Sequence, residues 1–263
     1  MTEATLVTYA ADTGLATITL DDPPANAYTH AMMRQLDEAV LQARFDDDVH
    51  AILLTGAGSK MFCAGANIEE LQQMEPLFKD NFCLHANETL NRLEQTPKLV
   101  IAALNGHCVG GGLEVALAAD IRIARRDGGK IGLPEVKLGV LPGTGGTQRL
   151  LRAIGRSRAL EMMVSGRLLS FREAEDIGLV NEMLTADDFT AAAEAYARRY
   201  VPPASASMAV GAIKRAVVSG AEMGFTEGLA LERELQSRLF RSSDCKEGLA
   251  ANRQRRKPDF SGT

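Results

Sequence analysis

Leu99-Val100-Ile101-Ala102-Ala103-Leu104-Asn105-Gly106-His107-Cys108-Val109-Gly110-Gly111-Gly112-Leu113-Glu114 runs from an unbroken apolar segment through a glycine-rich loop into a helical stretch, residues 115–119. The apolar half lacks alternation, as expected of a strand covered on both faces of a sheet. The loop brings small residues to a helix start, where unpaired backbone N–H groups coincide with the positive end of the helix dipole. Such a place can hold an anion or a developing oxyanion. The same order recurs upstream: residues 51–55 form an apolar strand, Gly56-Ala57-Gly58 a loop, and Phe62-Cys63-Ala64-Gly65-Ala66-Asn67 leads into a helix at about Ile68. A third glycine-rich loop is Leu141-Pro142-Gly143-Thr144-Gly145-Gly146-Thr147-Gln148-Arg149.

Working outward, residues 15–20 alternate between Gly14 and the turn Asp21-Asp22-Pro23-Pro24, which predicts a strand. Shorter strands are predicted at 121–124 and 130–132. Residues 30–44 carry apolar side chains at helical spacing behind the cap candidate Thr29, and 77–95 form a long helix closed by Pro97. After Gly146 the pattern turns helical, over 147–153, 157–164, 187–200, 204–219 and 225–240. A capping box at Ser170-Phe171-Arg172-Glu173 opens one further helix, stopped at Gly178. The fold class is α/β, and both a doubly wound sheet and a coiled succession of strand-strand-helix turns satisfy the periodicity. The expected division is an α/β core over residues 1–200 and a helical C-terminal region over 201–263, closing over the core or a neighbouring subunit.

The chain has 263 residues, 46% of them hydrophobic, and a formal net charge of −5, which argues against a general nucleic-acid binder. No apolar run reaches the roughly 18 residues that span a bilayer. The first ten residues carry Glu3 and no basic segment, so neither a membrane span nor a secretory signal is expected, and the compartment expected is the cytoplasm. Cys63, Cys83, Cys108 and Cys245 show neither disulfide nor zinc-ligand spacing. Asn87-Glu88-Thr89 matches a glycosylation acceptor by chance. Phosphate-loop and dinucleotide fingerprints are absent.

Two carboxylates stand beside the loops. Glu114 opens an otherwise apolar helix, and Glu135 follows Pro134 in Ile131-Gly132-Leu133-Pro134-Glu135-Val136. An acid among apolar neighbours resists ionisation, which suits a group that gives and takes protons near neutrality. Asp120 reads as a turn or salt-bridge residue, and His107 as structural. His30, His50 and His85 stand alone as surface or helix residues. The run Arg253, Arg255, Arg256, Lys257 is a solvated charge run or a contact for a phosphate-bearing ligand.

Taken together, the loops at 63–67 and 105–114 and the segment Leu133-Pro134-Glu135-Val136-Lys137-Leu138-Gly139-Val140-Leu141-Pro142-Gly143-Thr144-Gly145-Gly146-Thr147-Gln148-Arg149-Leu150 resemble the crotonase family, and its enoyl-CoA hydratases above all. The likeness runs from about Leu15 to Phe260. It implies a crotonase-like coiled repeat of strand-strand-helix turns with a helical C-terminal region. By that resemblance, the N–H groups of Ala66 and Gly111 form an oxyanion hole for an acyl-CoA thioester, and Glu114 and Glu135 hold and activate a water. Ala64, Asn67, Ile68, Gly110, Pro134, Leu141 and Gly143 fall at substrate-binding positions. Phe240, Arg255 and Lys257 are candidates for contacts with CoA, which the family buries partly under a neighbour's C-terminal helices. The family's first loop commonly ends in Asp where this chain has Asn67, and the basic residue often found near Pro24 is missing. The acyl pocket is expected to be walled by the helical stretch 68–82, whose Met74, Leu77 and Phe78 are equally candidates for plain core.

The resemblance implies addition of water to a 2-enoyl-CoA in fatty acid metabolism, with no cofactor beyond CoA as part of the substrate and no metal. The implied partners are acyl-CoA and further copies of the chain, as a trimer or a dimer of trimers, with no nucleic acid and no membrane. The alternatives are another crotonase-type activity (methylglutaconyl-CoA hydratase, isomerase or decarboxylase) or a non-catalytic CoA- or RNA-binding member.

Overall fold

Apolar segments become strands and the glycine loops become the corners between two sheets. The structure is a computed structural model describing residues 4–185 and 187–263; Met1, Thr2, Glu3 and Ala186 lie outside the described residues, including the Glu3 on which the leader expectation partly rests. β1 (Val7–Asp12) pairs antiparallel with β2 (Leu15–Leu20). α1 (His30–Phe45) follows, and the Thr29 hydroxyl caps it by accepting the Met32 N–H.

The chain then advances in repeated turns of two strands and a helical segment. β3 (Ala51–Gly56) and β4 (Met61–Cys63) lead to α2 (Ile68–Gln73) and α3 (Pro76–Gln95). β5 (Leu99–Leu104) and β6 (His107–Val109) lead to α4 (Gly111–Leu117). β7 (Ile121–Arg125) and β8 (Lys130–Gly132) lead to a 3-10 turn, Glu135–Leu138, then α5 (Gly146–Ile154) and α6 (Arg156–Ser165). β9 (Leu169–Ser170), α7 (Phe171–Asp176), β10 (Glu182–Leu184) and α8 (Phe189–Ala197) complete this part. α9 (Ser207–Gly220), α10 (Phe225–Leu239) and α11 (Ser243–Gln254) end the chain.

In each turn the first strand joins a six-stranded sheet ordered β1-β2-β3-β5-β7-β10, and the second joins a four-stranded sheet ordered β4-β6-β8-β9. This topology decides between the two arrangements left open by periodicity: the chain coils rather than winding doubly around one sheet. β3 and β5 pair in parallel register, Ala51 with Leu99, and β5 is buried along its whole length. Side chains from both sheets and from α1, α3 and α4 fill one large core.

Two expectations need correction. Residues 68–82 are not one helical wall. Pro76 disfavours helical backbone at Glu75, so α2 and α3 are separate and Met74-Glu75 is an extended joint. A further helix, α11, covers residues read from the sequence only for their basic tail; Ser242 caps it by accepting the Cys245 N–H. Among the described residues, no helix is long and apolar enough to cross a membrane.

Candidate active site

The corners of the coil converge on a cavity of about 410 Å³ between the start of α4, the 3-10 turn, the loop before α5 and the flank of α3. Of the residues singled out from the sequence, Ala64, Ala66, Ile68, Gly110, Gly111, Glu114, Pro134, Glu135, Leu141 and Gly143 all line it.

Its first wall is a close approach of two loops. Gly65 sits at φ +91°, and a Cβ placed there would lie 2.8 Å from the Gly111 nitrogen and 3.1 Å from the Val109 oxygen. Any larger residue would push the two loops apart. Gly110, at φ +58° and ψ −135°, then makes the corner into α4. Gly111 opens that helix, so its N–H has no partner one turn back. Ala66 forms a bridge with Tyr28, but the bonds of that bridge use Gly65 O and Asn67 N. The N–H groups of Ala66 and Gly111 are thus both outside these backbone ladders, on loops in contact.

Glu114 is only 2% exposed, yet among the described residues no cation forms a salt bridge with it. Its charge is met by donors instead. Oε1 accepts the Thr144 N–H at 2.8 Å and the Gly146 N–H at 2.7 Å, and Oε2 accepts the Thr144 hydroxyl. The donating loop is itself held. Arg149 donates to Thr144 O at 3.3 Å while binding Glu94 and Asn91, and Asn87 donates to Gly143 O at 3.2 Å. Asn87 is therefore a brace for the third loop.

Glu135 is different. It begins the 3-10 turn behind Pro134 and is half-buried, and its Oε2 is shielded from solvent with no hydrogen-bond partner. Oε1 lies 3.3 Å from where a Gly110 Cβ would be, so the carboxyl faces the α4 corner. Desolvation, aided by the negative charge of Glu114, raises its pKa to about 7.

The family model for enoyl-CoA hydratase/isomerase matches residues 10–263. The chain belongs to the enoyl-CoA hydratase/isomerase family. It is 36% identical over 244 residues to the short-chain-enoyl-CoA hydratase of Clostridium acetobutylicum, covering 92% of each chain. It is also 36% identical over 258 residues to the enoyl-CoA isomerase/hydratase fer4 of Mycosarcoma maydis, covering 95% of this chain and 93% of that one. A crystal structure of the enoyl-CoA hydratase from Geobacillus kaustophilus superposes with a TM-score of 0.95 at 43% identity, over 100% of this chain and 98% of the other. The fold is accordingly the crotonase fold.

Within this family member, four residues singled out for substrate contact lie outside the cavity of their own chain. The Asn67 side chain caps α2 by accepting the Glu70 N–H at 3.1 Å, so it serves the helix. Phe240, at the end of α10, is 59% exposed and outside the cavity of its own chain. Arg255 caps α11 in a left-handed conformation, and Lys257 follows it on the surface. The chain end is pinned elsewhere: Asp244 accepts the N–H groups of Ser261 and Gly262, and Phe260 N–H bonds Pro203 O. The stretch 68–82 does contribute to the wall: Ile68, Leu71, Lys79 and Phe82 line the cavity, with Ala86 beyond them, whereas Met74, Leu77 and Phe78 do not.

Of the other sequence readings, Cys83 lines the cavity, and those that follow fall clear of it. Asp120 pairs with Lys214 at 2.8 Å and accepts the Val100 N–H, and His107 accepts the Lys130 N–H. Cys63 is fully buried, with its thiol pushed up to about 12, chiefly by desolvation. Sequence reading missed Tyr28 and Thr144, both in the cavity wall. The only signal for Thr144 was its place among the glycines of the third loop; Tyr28 was hidden beside a predicted cap.

Proposed function

We propose that the chain is an enoyl-CoA hydratase, adding water across the double bond of a 2-enoyl-CoA to give a 3-hydroxyacyl-CoA. The observation that carries this reading is one cavity flanked by two unlike carboxyl groups: Glu114 saturated with donors, and Glu135 with an unpartnered oxygen and a raised pKa.

The division of labour follows from chemistry. Glu114, bonded to three donors, is suited to remain a carboxylate and take a proton from water. The water oxygen bonds to Cβ, and the π electrons move onto the thioester as an enolate. The N–H groups of Ala66 and Gly111 stabilise that charge, an interaction worth more as the charge develops than in the ground state. Glu135, protonated over much of the range below about pH 7, delivers its proton to Cα. Net transfer from Glu114 back to Glu135 resets the site, so one water is consumed. CoA enters only as part of the substrate, and the chemistry calls for no other cofactor. Homo-oligomeric assembly belongs to the same reading: Phe225 at 83% and Val217 at 65% exposure leave apolar surface on the C-terminal helices. Light scattering on the purified chain tests that part.

The activity test is a panel of 2-enoyl-CoA thioesters of increasing length, with branched and carboxylated members. Loss of the conjugated-thioester absorbance, with the 3-hydroxyacyl product identified by mass, is the expected result. Migration of a 3-enoyl double bond without hydration assigns an isomerase instead, and turnover of none points to a non-catalytic member.

A further inference from the structure

Two hydroxyls stand behind the base in the cavity wall. Thr144 and Tyr28 are each 4% exposed, and both carry a hydroxyl that needs partners. The direction of their bonds follows from Glu114. A carboxylate only accepts, so the Thr144 hydroxyl must donate its single proton to Glu114 Oε2. Tyr28 Oη lies 3.4 Å from Thr144 Oγ1. With the Thr144 proton committed, Tyr28 is the donor in that contact. A carboxylate has about four acceptor directions. Two at Oε1 are taken by the N–H groups of Thr144 and Gly146, and one at Oε2 by the Thr144 hydroxyl. One direction at Oε2 remains.

We propose that Thr144 and Tyr28 are positioning residues for the base: their hydroxyls form a one-way hydrogen-bonded chain that leaves Glu114 a single acceptor direction for the reacting water. The chain also joins the two halves of the site. Tyr28 N–H bonds Gly65 O and Asn67 N–H bonds Tyr28 O, on either side of Ala66. Its ring packs edge-on against Phe82, with centroids 6.0 Å apart. A Gly111 Cβ would fall 2.2 Å from Tyr28 Oη, so the hydroxyl abuts the start of α4. A shift of the loop carrying Ala66 is thereby felt at Glu114 through two hydroxyls.

This inference rests on the hydratase reading, and its test separates the two. Thr144→Val removes the hydroxyl at nearly constant shape, Thr144→Ser returns it, and Tyr28→Phe removes the second link. With crotonyl-CoA as probe, Thr144→Val lowers kcat about tenfold or more with KM changed less than about threefold, as for a group acting through a general base. Thr144→Ser recovers most of the loss. Tyr28→Phe shifts kcat in the same direction by a smaller factor, because a 3.4 Å contact is weak. An activity-independent readout is the carboxylate stretch of Glu114, isolated as the infrared difference from Glu114→Gln in isotope-labelled protein. It shifts in Thr144→Val and returns in Thr144→Ser. An unchanged stretch and kcat in Thr144→Val, or a Thr144→Ser as impaired as Thr144→Val, overturns the proposal. If Thr144→Val does not fold, the same comparison in Tyr28→Phe, which keeps the ring, decides: no shift in stretch or kcat overturns it. Absence of turnover in the unsubstituted protein defeats the hydratase reading instead, and the infrared shift still decides the hydroxyl chain.

Discussion

Glu114 and Glu135 share one cavity and face opposite electrostatic circumstances. Glu114 is the deeper, at 2% exposure on the rigid start of α4, yet three donors from the loop before α5 surround it. Glu135 is the shallower, on a 3-10 turn whose Val136 and Leu138 face solvent, yet one of its oxygens has no partner. Depth alone therefore does not decide how a buried acid is partnered; the supply of donors does. The fold produces the difference by geometry. Helix α5 begins beside Glu114 and aims N–H groups at it, whereas Glu135 meets the glycine corner at Gly110, which offers its carboxyl little.

The largest effect is expected from Glu114→Gln. An amide in place of the carboxylate cannot accept the water proton, and its NH₂ turns the Thr144 hydroxyl from donor to acceptor. A loss of about 10³–10⁴ in kcat follows, together with a lowered Tm, since the charge-assisted bonds from Thr144 and Gly146 become neutral ones. Steady-state hydration and thermal melts read both. Full turnover in this variant sinks the assignment of Glu114 as base.

Glu135→Gln is expected to cost less in turnover, about 10²–10³, and nothing in stability. Glutamine imitates the protonated acid in shape but cannot release the proton to Cα. Because Oε2 has no partner to lose, Tm at about pH 8 is expected to rise rather than fall. A drop in Tm comparable to that of Glu114→Gln would erase the contrast between the two acids.

Much of the framework around the two acids was legible in the sequence, but not the contrast between them. The strands at 15–20 and 99–104 have the bounds read from their patterns, because buried strands leave continuous or alternating apolar runs. β1, β4, β6, β9 and β10 escaped; the last four are two or three residues long, too short for a period of their own, although the equally short β8 was read at 130–132. Ten of the fourteen positions singled out from motifs line the cavity, since the motif residues sit at the corners where the coil turns. What sequence could not show was which acid has donors: Thr144 is 30 residues from Glu114, and only the return of α5 beside α4 brings them together. The same blindness applies to Asn67, whose side chain turns to its own helix.

The pH dependence sharpens the comparison with a smaller effect. Glu135 must be protonated to donate, so kcat/KM is expected to decline as pH rises through about 7, approaching a tenfold loss per unit above it. Glu135→Gln removes that limb. Stability follows the same group. The folded-state pKa stands above its ordinary value of 4.5, so the folded chain binds more protons than the unfolded one between 4.5 and about 7. The associated stabilisation is complete below 4.5 and lost as pH climbs through about 7. Melts across that window are expected to show a slope in the unsubstituted chain that flattens in Glu135→Gln; parallel curves count against a raised pKa.

The smallest effect tests a residue that borders the site without serving it. Asn67 caps α2 one residue after Ala66, so losing its side chain disturbs the wall near the Ala66 N–H without touching either glutamate. Asn67→Ala is expected to lower stability by about 0.5–2 kcal/mol, the ordinary cost of a lost cap. Asn67→Asp preserves the cap and adds charge at a helix start, where it is favoured. Turnover within about threefold of the unsubstituted protein is expected for Asn67→Asp, and a modest loss, mainly in KM, for Asn67→Ala. Those values follow if α2 moves as a wall. A large kcat loss in Asn67→Asp instead assigns the side chain to the chemistry. It would mean that Asn67 leaves its cap when substrate binds and joins the two acids in the reaction.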